Sequence, residues 1–392
     1  MRKLIVILIT LVPLLAGCSE SMDELAERVF DLAREQYEAM DTTLGEGELP
    51  RTFQGDTLLT STSAWWGSGF YPGSLWYIYY YTGDSEVKAL AEKYTERLYK
   101  ESLKARSHDI GFMINCSYGN ALRITGESKY AAPMQTAAIE LAKRFNSKVG
   151  CTRSWNFSPK GKNVTWEFPV IIDNMMNLEL LEEAYKLTGT DSLDVIARTH
   201  ANTTILNHFR DDYSSFHVVD YDPLDGHVRM KMTHQGYSDD SAWARGQAWG
   251  LYGFTMMYRE TDDSTYLAPA EKIAAMLLQR LPEDGIPYWD FDAPEIPNEL
   301  RDASAAAIMA SALTELAGYT ASAEKAAAYK AMAEKQVRTL AGRKYLAKEG
   351  DNGHFLLKHS VGNHPGNSEM DVPLTYADYY FLEAILKLTD RL

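Results

Sequence analysis

One punctuation recurs along this 392-residue chain: an apolar, aromatic-rich stretch ends in a Thr-Gly-type turn, and an Ala/Lys/Glu-rich amphipathic stretch follows. It stands at Tyr81-Thr82-Gly83-Asp84, Thr125-Gly126-Glu127 and Thr188-Gly189-Thr190. Worn forms occur at Glu260-Thr261-Asp262-Asp263 and Gly318-Tyr319-Thr320. Gly or Asp punctuates the end of one helix, and Ser or Asp caps the next. A repeated helix pair cannot bury its apolar face alone, so such units must stack or close on themselves.

Counting on this template predicts twelve helices. One set, near 75–82, 111–124, 174–187, 242–260, 302–317 and 374–390, is apolar nearly all round, as buried helices are. The other, near 23–40, 85–104, 128–146, 191–209, 264–280 and 323–341, carries charge on one face. Six buried helices alternating with six amphipathic ones predict an inner and an outer ring. The expected fold is all-α, an (α/α)6 barrel formed as one catalytic domain over residues 18–392, with few strand-like segments. Long inserts at 41–73, 147–172, 210–241, 281–301 and 342–373 all run from an outer helix to the next inner one. They therefore emerge at one mouth of the barrel, above the N-termini of the inner helices, where a rigid scaffold carries functional loops.

The N-terminus reads differently. Met1-Arg2-Lys3, an apolar run from Leu4 to Leu15, and Leu15-Ala16-Gly17-Cys18 form a charged region, a short apolar region and small residues before a cysteine. The run is too short to span a bilayer and reads as a signal peptide over residues 1–17. Its ending resembles a bacterial lipobox, which implies lipidation of Cys18 and an exported, membrane-tethered protein, periplasmic or surface-displayed. Cys116 and Cys151 are the remaining thiols, too few for a disulfide framework. They could pair in an oxidising periplasm, but the apolar helical setting of Cys116 favours buried free thiols. No Cys/His spacing resembles a zinc site, and no nucleotide, flavin or phosphate motif is evident, so neither metal nor cofactor is expected. The formal charge of −15 argues against nucleic-acid partners.

The densest chemistry lies at Ser241-Ala242-Trp243-Ala244-Arg245-Gly246-Gln247-Ala248-Trp249-Gly250. Ser238-Asp239-Asp240 ahead of it is a capping composition, and Arg245 and Trp249, four apart, share one helix face. An Arg fork beside an indole suits a carboxylated sugar: the fork grips the carboxylate and the indole stacks on the ring. The bland alternative is an Arg lying over a buried Trp. Two aspartates open inner helices on the same rim, Asp109 and Asp173. Each has a capping interpretation, although Ile171-Ile172 and Met175-Met176 make an apolar setting for Asp173.

These residues carry a resemblance. His108-Asp109-x-Gly111-Phe112, Ile172-Asp173-Asn174-x-x-Asn177, Gln235-Gly236, the Ser241–Gly250 stretch, Asp302-Ala303-Ser304 and Ala377-Asp378-Tyr379 resemble glycoside hydrolase family 88, the unsaturated glucuronyl hydrolases. Gly69-Phe70-Tyr71-Pro72-Gly73 is similar too, and the motifs run in order from about residue 60 to the C-terminus. Family 105, the unsaturated rhamnogalacturonyl hydrolases, shares the fold but more often reads Arg-Gly-Asn-Gly-Trp where this chain has Arg245-Gly246-Gln247-Ala248-Trp249. The resemblance implies an (α/α)6 barrel acting on lyase-generated oligosaccharides that end in a 4,5-unsaturated uronate. It implies Asp173 as general acid/base and Asp109 as a second essential carboxylate. His108, His217, Gln235, Arg245 and Trp249 match substrate-contacting positions, as does Trp65 or Trp66.

Such a uronate is a vinyl ether, open to protonation at C4 and attack by water at C5. The resulting hemiketal opens and the aglycone leaves, so the usual link between carboxylate spacing and stereochemistry does not apply. The acid must hold its proton near neutrality, which an apolar setting, a second carboxylate and the substrate's own charge all favour. His354, His359 and His364, in the Gly-containing loop 351–371, are candidates to shape the next sugar subsite. Two competing readings are a glycan-binding lipoprotein without catalysis and a polysaccharide lyase on a similar toroid. A pure binder of acidic sugars gains nothing from paired rim aspartates, and they suit a lyase less well than a hydrolase.

Overall fold

The computed structural model describes residues 20–159 and 164–392. The leader and Cys18 lie outside the described residues. Six outer helices span Met22–Thr43, Ser85–Glu96, Ala131–Ala142, Asp191–Asn207, Ser264–Arg280 and Ala323–Leu340. Five inner helices span Phe70–Thr82, Asn174–Thr188, Ala244–Thr261, Ala303–Tyr319 and Thr375–Leu388. The remaining one, second in order, runs through Ile110–Ile114, a π turn at Asn115–Gly119, and Asn120–Thr125. Burial separates the sets: Ala303 to Leu313 are all buried in the fifth inner helix, whereas the outer helix Ser85–Glu96 buries only Val87, Ala91, Tyr94 and Thr95. Successive inner helices pack side by side, and the sixth packs against the first, closing the (α/α)6 ring. One continuous core runs from Leu25 to Leu388.

The turns behave as their residues dictate. Gly83, Gly126 and Gly189 end their helices at φ near +70°, and Asp262 takes the same left-handed role at φ +53°. Asp84, Asp263 and Ser322 then cap the following outer helices through their side chains. The fifth turn departs from the expectation: Gly318 stays inside its helix and Thr320 ends it in extended backbone. The fourth inner helix departs too. It starts at Ala244, not behind a Ser238–Asp240 cap, because residues 241–243 bond to the next insert. Ser241 Oγ donates to Asp290 at 2.7 Å, and Ala244 N donates to the Trp289 carbonyl.

The short strands gather in or beside the mouth inserts. Leu49–Gln54 pairs with Thr57–Ser61, and Ser360–Asn363 with Ser368–Val372. Val218–Tyr221 is the centre of an antiparallel sheet flanked by Phe168–Ile171 and Val228–Met232. At the opposite end of the barrel the inner helices present their C-termini, where cations are favoured. There Arg259 pairs with Glu315 (3.0 Å), Glu260 (2.7 Å) and Glu179, and Lys387 with Glu315 at 2.7 Å. Cys116 and Cys151 are buried and unpaired with each other.

Candidate active site

A cavity of about 420 Å³ opens at the mouth, within the usual size of small-ligand sites. Asp109 and Asp173 both line it, with Trp65, Trp66, Gln235 and Arg245. Each aspartate holds the N-cap position of its inner helix, yet neither side chain makes a capping hydrogen bond. The capping interpretation therefore fails for both. Their carboxylates face the cavity instead.

Sheet register delivers Asp173. Ile171 lies opposite Val218, so Asp173 and His217 leave adjacent strands side by side, with Ile172 N donating to the His217 carbonyl at 3.0 Å. His217 Nδ1 accepts from the backbone amides of His234 and Gln235, both at 3.1 Å. Both donors are unambiguous N–H groups, so the ring proton sits on Nε2, which faces Asp173 Oδ2 at 3.7 Å. That Oδ2 is buried and accepts no hydrogen bond within the chain. Burial lifts the Asp173 pKa to about 7, against the pull of Arg245, and the Asp109 charge adds to the rise.

Asp109 is built differently. Ser107 Oγ donates to its Oδ2 at 2.7 Å, and His108 Nε2 lies 3.2 Å from its Oδ1. Asn177 sets the direction of that second contact. Its Oδ1 accepts from Phe112 N at 2.9 Å, which turns its amide nitrogen toward His108 Nδ1 at 3.3 Å. Nδ1 is then the acceptor and Nε2 carries the proton, with no hydrogen bond of its own within the chain. Burial pushes the His108 pKa down, keeping the ring neutral.

Three expected contacts are not in the wall. His108 and His217 sit behind Asp109 and Asp173, buried, and orient them. Trp249 is 1% exposed, lies against Asp173 and packs on Phe112 and Tyr380. It has no open face on which to stack a sugar. Arg245 reaches the cavity, but its fork is committed: Nη1 to Asp302 at 3.1 Å and to the Val361 carbonyl, Nη2 to the Gly362 carbonyl at 2.6 Å. Its guanidinium also lies over Trp243 and Tyr376. Asp302 damps its charge, which explains how Arg245 can stand on the same wall as a protonatable Asp173. Of the final loop, Gly362, Asn363, Ser368 and Glu369 line the cavity while His354, His359 and His364 do not. His364 stacks on Trp289 at 4.0 Å, and His359 pairs with Asp371 at 2.7 Å.

The wall also holds residues the sequence did not single out. Trp155 and Phe157 stack at 5.1 Å, Arg51 pairs with Glu369 at 2.6 Å, and Tyr376 closes the floor. Arg51 and the two aromatics sit in inserts without periodicity, so no pattern marks them. The clustering of Trp155 and Phe157, four and six residues after Cys151, was the one available signal.

Comparison with known proteins places this geometry. The profile of Glycosyl Hydrolase Family 88 matches residues 45–388. An unsaturated glucuronyl hydrolase of Formosa agariphila is 48% identical over 326 residues, covering 82% of this chain and 79% of that protein. Among solved structures, an unsaturated glucuronyl hydrolase specific for heparin superimposes with a TM-score of 0.89 at 45% identity, covering 94% of this chain and 98% of that one. A mutant unsaturated glucuronyl hydrolase from Streptococcus agalactiae, complexed with dGlcA-GalNAc6S, superimposes with a TM-score of 0.78 at 28% identity over 95% and 93% of the two chains. With the profile spanning nearly the whole ring and both rim aspartates inside the match, the chain belongs to Glycosyl Hydrolase Family 88.

Proposed function

We propose that this protein is an unsaturated glucuronyl hydrolase. It removes the 4,5-unsaturated uronate from the non-reducing end of lyase-generated oligosaccharides. The observation that carries the reading is the unequal pair of carboxyls on one cavity: Asp173 Oδ2 buried without a donor, Asp109 Oδ2 accepting from Ser107 Oγ. Protonated near neutrality, Asp173 gives its proton to C4 of the vinyl ether, and positive charge spreads over C5 and O5. The resulting carboxylate takes a proton from water as that water adds to C5, restoring Asp173. The hemiketal at C5 then opens and releases the aglycone. One residue thus serves as acid and base.

Asp109 stays beside the developing cation and stabilises it through charge. His217 Nε2 stands 3.7 Å from Asp173 and His108 Nε2 3.2 Å from Asp109, so each buried ring backs its aspartate by packing. Trp65 and Trp66 offer the sugar its aromatic wall, and Gln235, anchored to the Gly362 carbonyl at 3.0 Å, fixes the far side. Asp173→Asn should fold and bind lyase-digested disaccharides yet lose several orders of magnitude in turnover, measured as disappearance of the alkene's ultraviolet absorbance. Undiminished loss of absorbance in that variant would sink the assignment. A panel of sulfated and unsulfated disaccharides, followed the same way, identifies the preferred aglycone.

The reading extends to location. The leader and the Leu15-Ala16-Gly17-Cys18 ending support export and membrane tethering through Cys18. Cells fed labelled palmitate should label the wild-type chain and not Cys18→Ser. Equal labelling of both would end the lipoprotein proposal.

A further inference from the structure

Arg144 follows the outer helix Ala131–Ala142 and was marked by no motif. Its guanidinium has five N–H donors and each finds an oxygen. Nε donates to the Arg153 carbonyl at 2.8 Å, Nη1 to the carbonyls of Arg106 (3.1 Å) and Ala105 (3.3 Å). Nη2 donates to the Ser154 carbonyl at 3.2 Å and to Asn156 Oδ1 at 3.0 Å. None of these partners is a carboxylate. Among the described residues no acidic side chain pairs with it, and the acidic group whose field acts on it is Asp109. Burial and the neighbouring Arg153 bring its pKa down to about 10, where it remains charged.

The two segments it clasps are those that build one side of the site. Ala105 and Arg106 lead directly into Ser107, His108 and Asp109. Residues 153–156 carry Trp155 and, through Ser154, reach across to the other aspartate. The Ser154 carbonyl accepts from His108 N at 3.1 Å, Ser154 N donates to the Pro169 carbonyl, and Ser154 Oγ accepts from Ile171 N, two residues before Asp173. We propose that Arg144 is a positioning residue for the hydrolysis: its clasp fixes where Asp109 stands relative to Asp173 and Trp155. This rests on the hydrolase reading above.

The charged and titratable groups around Asp109 are His108 on its own segment, Asp173 on the next inner helix and Arg144 from the outer ring. Arg51, His234, Arg245, Glu369 and Tyr376 line the same cavity. Arg144→Gln removes both fork and charge, and Arg144→Lys keeps the charge. Both should lower kcat by about 100-fold with little change in KM, the scale of an ångström's misplacement. A merely structural role would lower the melting temperature and leave kcat per folded molecule at the wild-type value. Should both variants fail to fold, Asn156→Ala, at an exposed position, removes one acceptor of the clasp and should lower kcat severalfold with KM unchanged. Wild-type kcat in folded Arg144→Gln, or in Asn156→Ala where the other two do not fold, overturns the proposal. A wild-type chain inert on every unsaturated disaccharide is a different result: it overturns the hydrolase reading and this inference with it.

Discussion

Asp109 and Asp173 are the same residue type at equivalent positions on neighbouring helices, and their donors set them apart. Ser107 donates to the first, while Oδ2 of the second is buried and accepts no hydrogen bond within the chain. A group that must be protonated to act fixes the alkaline side of the profile, so activity should fall as pH rises through about 7. The same shift acts on stability. Unfolded, the side chain releases its proton near 3.8, whereas folded it holds on to about 7. The stability this contributes is complete below the unfolded value and is lost as pH rises through the folded one. Asp173→Asn, uncharged throughout, should therefore melt well above wild type at pH 8, by the equivalent of a few kcal/mol, and level with it at pH 4. Parallel melting curves at the two pH values would show that burial does not hold the proton. That both aspartates meet at one cavity was legible in the sequence, because both stand where an apolar helix begins on the same rim. Their division of labour was not, since it depends on Asn177 fixing a histidine ring across 69 residues of chain. Arg245 was visible for its charge and misjudged in its partners, because Asp302 and the final loop meet it only after the ring closes.

The inner helices meet so closely at the mouth that some contacts admit no side chain. A Cβ on Gly111 would stand 2.4 Å from Asn177 Oδ1 and 2.7 Å from Asn177 Cα. Gly111→Ala should therefore cost about 1–3 kcal/mol of stability by overpacking. It should lower turnover more than stability alone explains, since the displaced amide is the one that orients His108. Wild-type kcat in a folded Gly111→Ala protein would count against the role of Asn177. The helices themselves were readable because their period and their stops come from local chemistry: the turn at Gly83 needs only Gly83. Inserts have no such grammar. The strand pairing that sets Ile171 opposite Val218 is a tertiary fact, and with it went the neighbourhood of Trp155 and Arg51.

At the scale of the whole molecule, two cavities occupy opposite ends of one ring. The larger, about 790 Å³, lies among the ion pairs at the helix C-termini, and the smaller lies among the mouth inserts. Size does not mark the chemistry; the smaller one holds the unequal aspartates. The chain's formal charge of −15 repels an anionic sugar at long range, while the cavity's Trp65, Trp66 and Gln235 act at contact. Added salt shortens the reach of the repulsion and spares the contacts. Thus kcat/KM should rise roughly twofold from low salt to physiological ionic strength, with kcat unchanged. A fall over that range would mean that attraction steers the encounter.

The last inner helix, Thr375–Leu388, wedges between the first and the fifth, and the hairpin just before it supplies the carbonyls that hold Arg245. A ribosome makes these parts after the other inner helices. Until they emerge, the aspartates on the second and third inner helices have no finished vessel around them, and a nascent or C-terminally clipped copy has nothing with which to cut sugar.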